Sequence, residues 1–302
     1  MNSELLRVAG ERAREHADLG SRTTYRVGGS AACLVTLRTL DDVRELAPYI
    51  FDDGRPVVVV GNGSNLLVAD GELDVIAVSL EGEFEELRWH QEGAVFVVEA
   101  GAAVDLPVAA RRLASEGISG FEWAVGVPGT FGGAAVMNAG GHGSDMAASV
   151  LSVQTWSKGA LRAWSLEDLE FSYRHSALTS SELVLSVSLH LYAGDAEMAK
   201  ERLSEIVRWR REHQPGGQNA GSVFRNPEGS HAGQLIETSG LKGLRMGSAH
   251  VSEKHANFII ADPNGRAQDV YDLIVHIRSV VEEKTGIVLL PENKFLGFTG
   301  PL

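Results

Sequence analysis

The sequence predicts an α+β protein, with a mixed first part that has room for two small lobes and a separate last third. Helical and strand patterns alternate over about the first 190 residues, which is typical of layered helices and sheets. A strongly charged helical pattern, Ala196–His213, then stops at Gln214-Pro-Gly-Gly217. Proline followed by paired glycine indicates a domain boundary there.

The elements of the first part follow from local patterns. Thr39 is expected to cap a helix through Ile50, because Asp41 and Asp42 fall in its first turn, where negative charge favours the helix dipole. A charged, helix-like stretch reaches Glu15, and a second helix is expected over Leu106–Glu116. The expected strands are Cys33–Leu37, Pro56–Val60, Val75–Leu80, Ala94–Ala100, Val150–Ser157 and Leu183–Tyr192.

The last third has elements of its own. Short helical and strand patterns occur at Ala232–Ser239 and Asn257–Ala261. The pattern over Ala267–Lys284 predicts a helix that buries one apolar face, and Ile287–Leu290 predicts a strand able to return to the first lobe. We therefore expect a first lobe over residues 1–80 joined by 287–302, a second lobe over 81–213, and a third domain over 214–286.

Composition narrows the class of protein. The 302 residues are 44% apolar and 22% charged, as in ordinary globular proteins, and the net charge is −13 at pH 7. Acidity argues against nucleic acid and an anionic membrane surface as partners, because both need clustered Lys and Arg. Neither a signal peptide nor an 18-residue apolar run is apparent, so we expect a cytoplasmic protein. The single cysteine, Cys33, excludes an intrachain disulfide and is expected in the core.

Glycine is concentrated in one uncharged run. Seven of the eighteen residues from Gly126 to Gly143 are glycine. Glycine costs roughly 0.5–1 kcal/mol per position relative to alanine in regular structure, so such density indicates tight turns or close approach of the backbone to something else. Bare N–H groups suit a phosphorylated ligand. A set of surface turns is the alternative interpretation.

A second glycine-containing loop follows a predicted strand. Val57–Val60 leads directly into Gly61-Asn-Gly-Ser-Asn65, a way to present amides and hydroxyls to phosphate. The loop has neither a Gly-Lys-Ser/Thr sequence nor the Gly-x-Gly-x-x-Gly pattern, so a Walker loop and the standard dinucleotide fingerprint are excluded. Two such loops favour a ligand with an extended pyrophosphate, and FAD fits better than a small monophosphate.

Three side chains are candidates for catalysis because of the local sequence around them. Ser222 lies in Ala220-Gly-Ser-Val-Phe-Arg-Asn-Pro227, Arg174 in Phe171-Ser-Tyr-Arg-His-Ser176, and Glu292 directly after the apolar Ile287–Leu290. They can act as proton donor, oxyanion ligand and cleft carboxylate. The alternatives are a turn serine, a structural arginine and a solvated glutamate. His250 and His255 lack a completing set of ligands, so we expect no metal.

Taken together, the motifs resemble those of the UDP-N-acetylenolpyruvoylglucosamine reductase (MurB) family over nearly the full length. The resemblance is carried by Gly61-Asn-Gly-Ser-Asn-Leu-Leu67, Gly126-Val-Pro-Gly-Thr-Phe-Gly-Gly-Ala134, Asn138-Ala-Gly140, Tyr173-Arg-His-Ser176, Gln214-Pro215, Gly221-Ser-Val-Phe-Arg-Asn-Pro227, Ala232-Gly-Gln-Leu-Ile-Glu237, Gly240-Leu-Lys-Gly243, Val251-Ser-Glu-Lys-His-Ala-Asn-Phe258 and Pro291-Glu292. Their shared order and spacing make coincidence implausible.

The resemblance implies a two-lobed FAD-binding domain of the vanillyl-alcohol-oxidase/PCMH type and a third, substrate-binding domain. NADPH would reduce non-covalent FAD, which would then reduce the enolpyruvyl ether of a UDP-sugar in cytoplasmic peptidoglycan precursor synthesis. Ser222 would protonate the α-carbon, and Arg174 and Glu292 would stabilise the enolate-like intermediate. A carboxylic acid helps only as a hydrogen-bond donor, so Glu292 would have to be protonated.

The resemblance also predicts binding residues. FAD would be held by two loops and the segment that follows the second: Gly61, Asn62, Gly63, Ser64, Asn65, Leu66, Gly126, Pro128, Gly129, Thr130, Gly132, Gly133, Asn138 and Gly140. We call Gly61–Leu66 the first glycine loop and Gly126–Gly133 the second. The phosphates or carboxylate of the substrate would meet Arg225, Asn226 and Lys242.

The chain departs from the family pattern at a few positions. Leu290 stands where an acidic residue is frequent, Asn293-Lys294 where Val-Arg is frequent, and Arg225 where lysine is usual. The chain resembles the shorter subtype without a tyrosine-bearing loop, so no tyrosine is assigned to catalysis.

Two rival interpretations are an oxygen-using flavin oxidase and a non-catalytic nucleotide-binding module. Such oxidases often bind flavin covalently through a histidine or a cysteine. His142 is the only histidine or cysteine near either glycine loop.

Overall fold

The structure is a computed structural model that describes residues 3–300. Its helices are α1 (Ser3–Ala9), α2 (Leu40–Phe51), α3 (Leu106–Ser115), α4 (Phe131–Met137), α5 (Ala196–His213), α6 (Ala232–Thr238) and α7 (Ala267–Thr285). Its strands are β1 (Ala13–Asp18), β2 (Ser30–Leu37), β3 (Val57–Val59), β4 (Leu66–Val68), β5 (Glu72–Leu80), β6 (Leu87–Glu92), β7 (Val95–Gly101), β8 (Ile118–Ser119), β9 (Gly140–Gly141), β10 (Ser144–Asp145), β11 (Val150–Ser157), β12 (Ala160–Ser165), β13 (Leu183–Ala193), β14 (Arg245–Met246), β15 (Ala249–Val251), β16 (Ile259–Ala261) and β17 (Lys294–Leu296).

The chain divides into two compact units. The first contains the residues up to Glu15, Cys33–Gly61 and Val75–Arg210, and the second contains His16–Ala32, Asn62–Asp74 and the residues from Arg211 onward. The chain therefore passes from one unit to the other inside β1, β2, β5 and α5, and also directly after Gly61. The three-part division at residues 80, 213 and 286 stays a prediction.

The first unit contains an antiparallel sheet with the order β12-β11-β13-β7-β6, and β8 pairs with the end of β13. The central strand β13 alternates fully buried Val187, Leu189 and Leu191 with half-buried Ser186 and Ser188. This alternation gives the sheet one apolar face. That face forms a single hydrophobic core with residues of α3, α4 and α5.

A second core of the first unit surrounds α2. Val43, Leu46 and Ile50 of this helix are buried against apolar residues of β2 and β5. The helix begins as the sequence predicts: the Thr39 hydroxyl accepts from the Asp42 N–H, and the Asp42 carboxylate accepts from the Thr39 N–H. This reciprocal capping box satisfies two N–H groups that the first turn would otherwise leave unpaired.

The second unit is built around α7. Val270, Leu273, Ile274, Ile277 and Val281 recur at helical spacing and are fully buried, in a core shared with α6 and the sheet β14-β15-β16. The short strand β17 pairs in parallel with β4, with Lys294 opposite Leu66. This pairing brings the segment after residue 290 beside the end of the first glycine loop.

Most predicted elements are confirmed, with ends that differ by no more than three residues. The strand expected at Ile287–Leu290 is wrong, because Val288 and Leu290 are exposed. Among the described residues, the only bridge beside this segment joins Phe224 to Pro291, and proline has no N–H to extend a ladder. The N-terminal helix is shorter than expected, because it ends at Ala9 and β1 begins at Ala13. The helix α4 inside the glycine run was not predicted.

Candidate functional site

The first glycine loop leaves no space for side chains at two of its glycines. A Cβ at Gly61 would lie 2.7 Å from the Thr130 hydroxyl, in the first unit. Gly63 has φ +57°, and a Cβ there would lie 2.5 Å from the Arg22 carbonyl oxygen. The Gly63 carbonyl in turn accepts from the Thr24 N–H at 3.2 Å. Glycine is therefore required by close packing of the backbone, and the loop continues through Asn62, Ser64 and Asn65 into β4.

The second glycine loop runs from a 3-10 turn into the first turn of α4. Gly129 has φ +130°, its carbonyl accepts from the Leu106 N–H, and the Gly132 N–H donates to Ala102. A Cβ at Gly132 would lie 3.1 Å from the Ala102 side chain, whereas Pro128 and Gly133 are exposed. The loop is thus a fixed, bare length of backbone that leads into a helix, which fits the pyrophosphate of FAD.

Asn138 ends α4 with a left-handed backbone, φ +40°. Its buried side-chain amide donates to the Ser172 carbonyl at 3.0 Å and to Asp145, while its oxygen accepts from the Ala147 N–H. The side chain therefore ties three segments of the first unit together. A flavin contact at Asn138 and Gly140 stays a prediction, and the structure shows that the Asn138 side chain already has protein partners.

Arg174 occupies a tight turn in which Ser172 and His175 exchange backbone hydrogen bonds at 3.1 Å. Its backbone is left-handed, with φ +56°, a conformation that costs a residue with a Cβ about 1–2 kcal/mol. One guanidinium nitrogen donates to the Gly140 carbonyl at 3.0 Å, and the guanidinium carbon lies 5.1 Å from the centroid of the Tyr173 ring. The turn and these contacts hold the half-buried Arg174 guanidinium beside Gly140, in the segment that follows the second glycine loop.

Ser222 and Glu292 lie on two paired segments of the second unit. The Glu292 N–H donates to the Val223 carbonyl at 2.7 Å, and the Arg225 N–H donates to the Leu290 carbonyl at 2.9 Å. Phe224 and Pro291 form the bridge between these two bonds. The structure therefore brings together two of the three predicted catalytic residues, although 69 residues separate them in the sequence.

Asparagine side chains hold these two segments, and for Asn257 and Asn293 the sequence predicted no role. The Asn257 amide donates to the Phe224 carbonyl and its oxygen accepts from the Phe224 N–H. The buried Asn293 donates to Asn65 at 2.9 Å, and Asn65 donates to the Glu292 carbonyl at 3.0 Å. Burial raises the pKa of Tyr25, whose hydroxyl lies 3.3 Å from the Asn293 oxygen, so this hydroxyl stays a proton donor. Asn257 falls inside a motif of the family resemblance, which was its only signal in the sequence.

The predicted substrate residues Arg225, Asn226 and Lys242 lie in the same unit and contact other protein residues. The Asn226 oxygen accepts from the Ala232 N–H at the start of α6, and the Lys242 ammonium donates to Glu237 at 2.7 Å. The Arg225 backbone belongs to the pair with Leu290. Their contacts with substrate stay predictions.

The two histidines considered for a metal have other surroundings. His250 lies beside Arg245 and Asp262, and the His255 ring meets Phe258 edge to face at 4.9 Å between centroids. Within residues 3–300 no three His, Cys, Asp or Glu side chains form a group that could ligate a metal. The same residues contain no helix that is long and apolar enough to span a membrane.

Known proteins that are similar to this chain identify its family. A family model described as UDP-N-acetylenolpyruvoylglucosamine reductase, C-terminal domain, matches residues 213–296, and an FAD-binding domain matches residues 31–159. The UDP-N-acetylenolpyruvoylglucosamine reductase of Synechococcus sp. (strain WH7803) is 41% identical over 295 residues, which cover 95% of this chain and 94% of the relative. That of Caldanaerobacter subterraneus is 39% identical and covers 91% of this chain and 90% of the relative.

Solved structures give the same result. The structure of UDP-N-acetylenolpyruvylglucosamine reductase (MurB) from Thermus caldophilus is 35% identical, covers 94% of this chain and 99% of that chain, and superposes with a TM-score of 0.81. A berberine-bridge-enzyme-like protein of Physcomitrella patens, 13% identical with a TM-score of 0.55, shares the fold alone. The α+β fold with an FAD-binding domain is thereby confirmed, and the chain belongs to the UDP-N-acetylenolpyruvoylglucosamine reductase (MurB) family.

Proposed function

We propose that the protein catalyses the NADPH-dependent reduction of UDP-N-acetylglucosamine enolpyruvate to UDP-N-acetylmuramate, with FAD as cofactor. The names of relatives that cover more than nine tenths of the chain support this reaction, as does the FAD-binding domain. The reaction belongs to peptidoglycan precursor synthesis, and we assign it to the cytoplasm. The partner is a small UDP-sugar, and neither nucleic acid nor membrane has a role.

The observation that carries the proposal is the pairing of the Ser222 and Glu292 segments. The segments that carry Ser222 and Glu292 are joined in the second unit by the 2.7 Å bond from the Glu292 N–H to the Val223 carbonyl. Asn257 and Asn65 hold both segments by side-chain bonds to backbone atoms. Groups held in this way are pre-organised, which is what transition-state stabilisation requires.

The residues have separate roles in the proposed reaction. Bound FAD would supply the two-electron chemistry, taking reducing equivalents from NADPH and passing them to the β-carbon of the enolpyruvyl group. The Ser222 hydroxyl donates a proton to the α-carbon. Negative charge develops on the substrate carboxylate before that proton arrives. The Arg174 guanidinium pairs with this charge, and a protonated Glu292 donates a hydrogen bond to it.

The test separates the two half-reactions. The purified holoenzyme is mixed with NADPH without oxygen, and UDP-N-acetylglucosamine enolpyruvate is then added while the flavin absorbance is followed. We expect bleaching by NADPH and recolouring by the enolpyruvyl sugar. Bleaching that is reversed by oxygen and not by the sugar would support a flavin oxidase and refute the proposed substrate.

Variants then test the assigned proton donor. In Ser222→Ala, bleaching by NADPH should keep its rate, whereas recolouring by the sugar should slow by about 10²-fold or more, the usual effect of removing a positioned acid. Ser279→Ala, at an exposed serine of α7, is the matched control and should keep both rates. Normal recolouring in Ser222→Ala would remove Ser222 from the mechanism while leaving the substrate assignment intact.

A further inference from the structure

His142 lies at the tip of the hairpin formed by β9 and β10. Ser144 pairs with Gly141 and Asp145 pairs with Gly140, so His142 and Gly143 are the two turn residues. Both have left-handed backbones, with φ +54° and +87°, as a type I′ turn requires. Glycine, asparagine and aspartate are the residues that such positions favour. A histidine with this backbone therefore indicates that its side chain makes compensating contacts.

Those contacts join three parts of the first unit. The imidazole meets the Trp209 ring of α5 edge to face, with 5.2 Å between centroids and an angle of 90°. On its other side it lies against Gly126, the first residue of the second glycine loop. A Cβ on Gly126 would lie 2.8 Å from two imidazole atoms and 3.0 Å from Ile206 of α5. Gly126 is thus the residue that makes space for the ring.

The same hairpin supports Arg174. The Gly140 carbonyl, two residues before His142, accepts the hydrogen bond from the Arg174 guanidinium at 3.0 Å. Asn138 binds both Asp145 of the hairpin and the Ser172 carbonyl of the Arg174 turn. The His142 imidazole therefore holds two features against α5. One is the start of the second glycine loop, and the other is the β9–β10 hairpin, which binds the Arg174 guanidinium.

The surroundings favour the neutral imidazole. Burial lowers the pKa of His142 below its ordinary value of 6.5, and the positive charges of Arg210 and Arg202 on α5 lower it further. Arg202 is paired with Glu205 at 3.0 Å, and Asp145 of the hairpin is bound to Asn138 and to the Ala148 N–H. A protonated ring would add a third positive charge beside the guanidinium groups of Arg210 and Arg202.

We propose that His142 is a positioning residue whose neutral ring locks the second glycine loop and the Arg174-anchoring hairpin onto α5, so that its protonation releases FAD. The inference depends on flavin binding and is independent of the substrate assigned under the proposed function. If the sugar failed to recolour the flavin, the proposed substrate would be refuted, but the proposal about His142 would still stand.

The experiment measures the dissociation constant of FAD, by flavin fluorescence, at about pH 8 and about pH 5.5. We expect the wild-type constant to rise at the lower pH, because the protonated ring no longer holds the loop and the hairpin on α5. His142→Phe keeps an aromatic ring that cannot be protonated, and should lose most of this rise. His90→Phe, at an exposed histidine of β6, is the matched control and should behave as wild type.

A second variant distinguishes titration of His142 from simple loss of packing. Arg202→Gln removes one cation that disfavours the protonated ring, so FAD release should begin at a higher pH, while affinity at pH 8 stays close to wild type. Circular dichroism at both pH values shows whether each variant is folded. Either of two results would refute the proposal. One is a dissociation constant that rises as much in His142→Phe as in wild type, and the other is FAD release at an unchanged pH in Arg202→Gln.

Discussion

At the scale of single residues, the backbone of Arg174 separates stability from function. Its left-handed conformation costs about 1–2 kcal/mol, a cost that glycine does not have. Arg174→Gly should therefore unfold at the same temperature as wild type or slightly higher, because the released strain offsets the lost bond to the Gly140 carbonyl. Its reductase activity should nevertheless fall by about 10²-fold or more, because removing a transition-state donor has effects of this size.

Thermal unfolding and kcat/KM, measured on the same preparation, check this prediction. Arg174→Ala is the matched variant, since it removes the guanidinium but keeps the strained backbone, and it should unfold at a lower temperature than Arg174→Gly. Near-normal activity in Arg174→Gly would show that the guanidinium has only a structural role.

The protonation state of Glu292 can be tested with Glu292→Gln, which replaces one carboxyl oxygen with an amide nitrogen. If the side chain acts as a neutral donor, the amide of Glu292→Gln can replace it, whereas the methyl group of Glu292→Ala cannot. We expect kcat to fall by less than about tenfold in Glu292→Gln and by about 10²-fold in Glu292→Ala, the latter being the scale for loss of one donor. If kcat fell further in Glu292→Gln than in Glu292→Ala, Glu292 would act as an ionised carboxylate.

The sequence could nominate Ser222, Arg174 and Glu292 as catalytic candidates because each lies in a local motif with a family pattern. It could not show what positions them. Asn65 binds the Glu292 carbonyl across 227 residues of chain, and Asn138 binds the Ser172 carbonyl across 34. A side chain that satisfies a distant carbonyl leaves no periodic signal, and so both asparagines were assigned to the cofactor alone.

At the scale of elements, α7 depends on a cap supplied by a distant segment. The Asp70 carboxylate accepts from the Ala267 N–H and the Gln268 N–H, each at 3.0 Å, in the first turn of the helix. Asp70→Ala should destabilise α7 by about 1 kcal/mol, the usual cost of a lost N-cap. Hydrogen exchange of α7 amides should accelerate accordingly. Glu283→Ala, exposed near the other end of α7, is the control, and equal acceleration in both variants would contradict the capping role.

The elements also show where patterns mislead. Ile287–Leu290 has the composition of a buried strand, yet only Leu289 is buried. Within the described part of the chain, no strand extends a ladder beyond the Phe224–Pro291 bridge. Conversely, α4 forms in a glycine-rich run that disfavours helix by propensity. Buried Phe131, Ala134 and Ala135 stabilise it against the core of the first unit. Tertiary packing decided both outcomes, and packing partners are not visible in a local window.

At the scale of the whole molecule, two sets of groups make stability depend on pH. Arg55 donates to Asp53 at 2.5 Å and thereby lowers the pKa of that buried carboxyl, and a hydrogen bond from Ser248 lowers the pKa of Asp269. Burial lowers the pKa of His142 and of His255. In all four cases the unfolded chain binds protons more readily than the folded chain, so each group stabilises the fold above its unfolded pKa and loses this contribution as pH falls.

The ordinary pKa values set two separate stages of acid destabilisation. The histidine contribution should decrease as pH falls below 6.5, and the aspartate contribution only as pH falls below 3.8. We therefore expect the unfolding temperature, measured with excess FAD, to be flat from about pH 8 to 7, to decline gently below pH 6.5, and to drop steeply below pH 4. A double variant, His142→Phe with His255→Phe, should remove the gentle decline and leave the steep one. Persistence of the gentle decline in that variant would place its origin in groups other than His142 and His255.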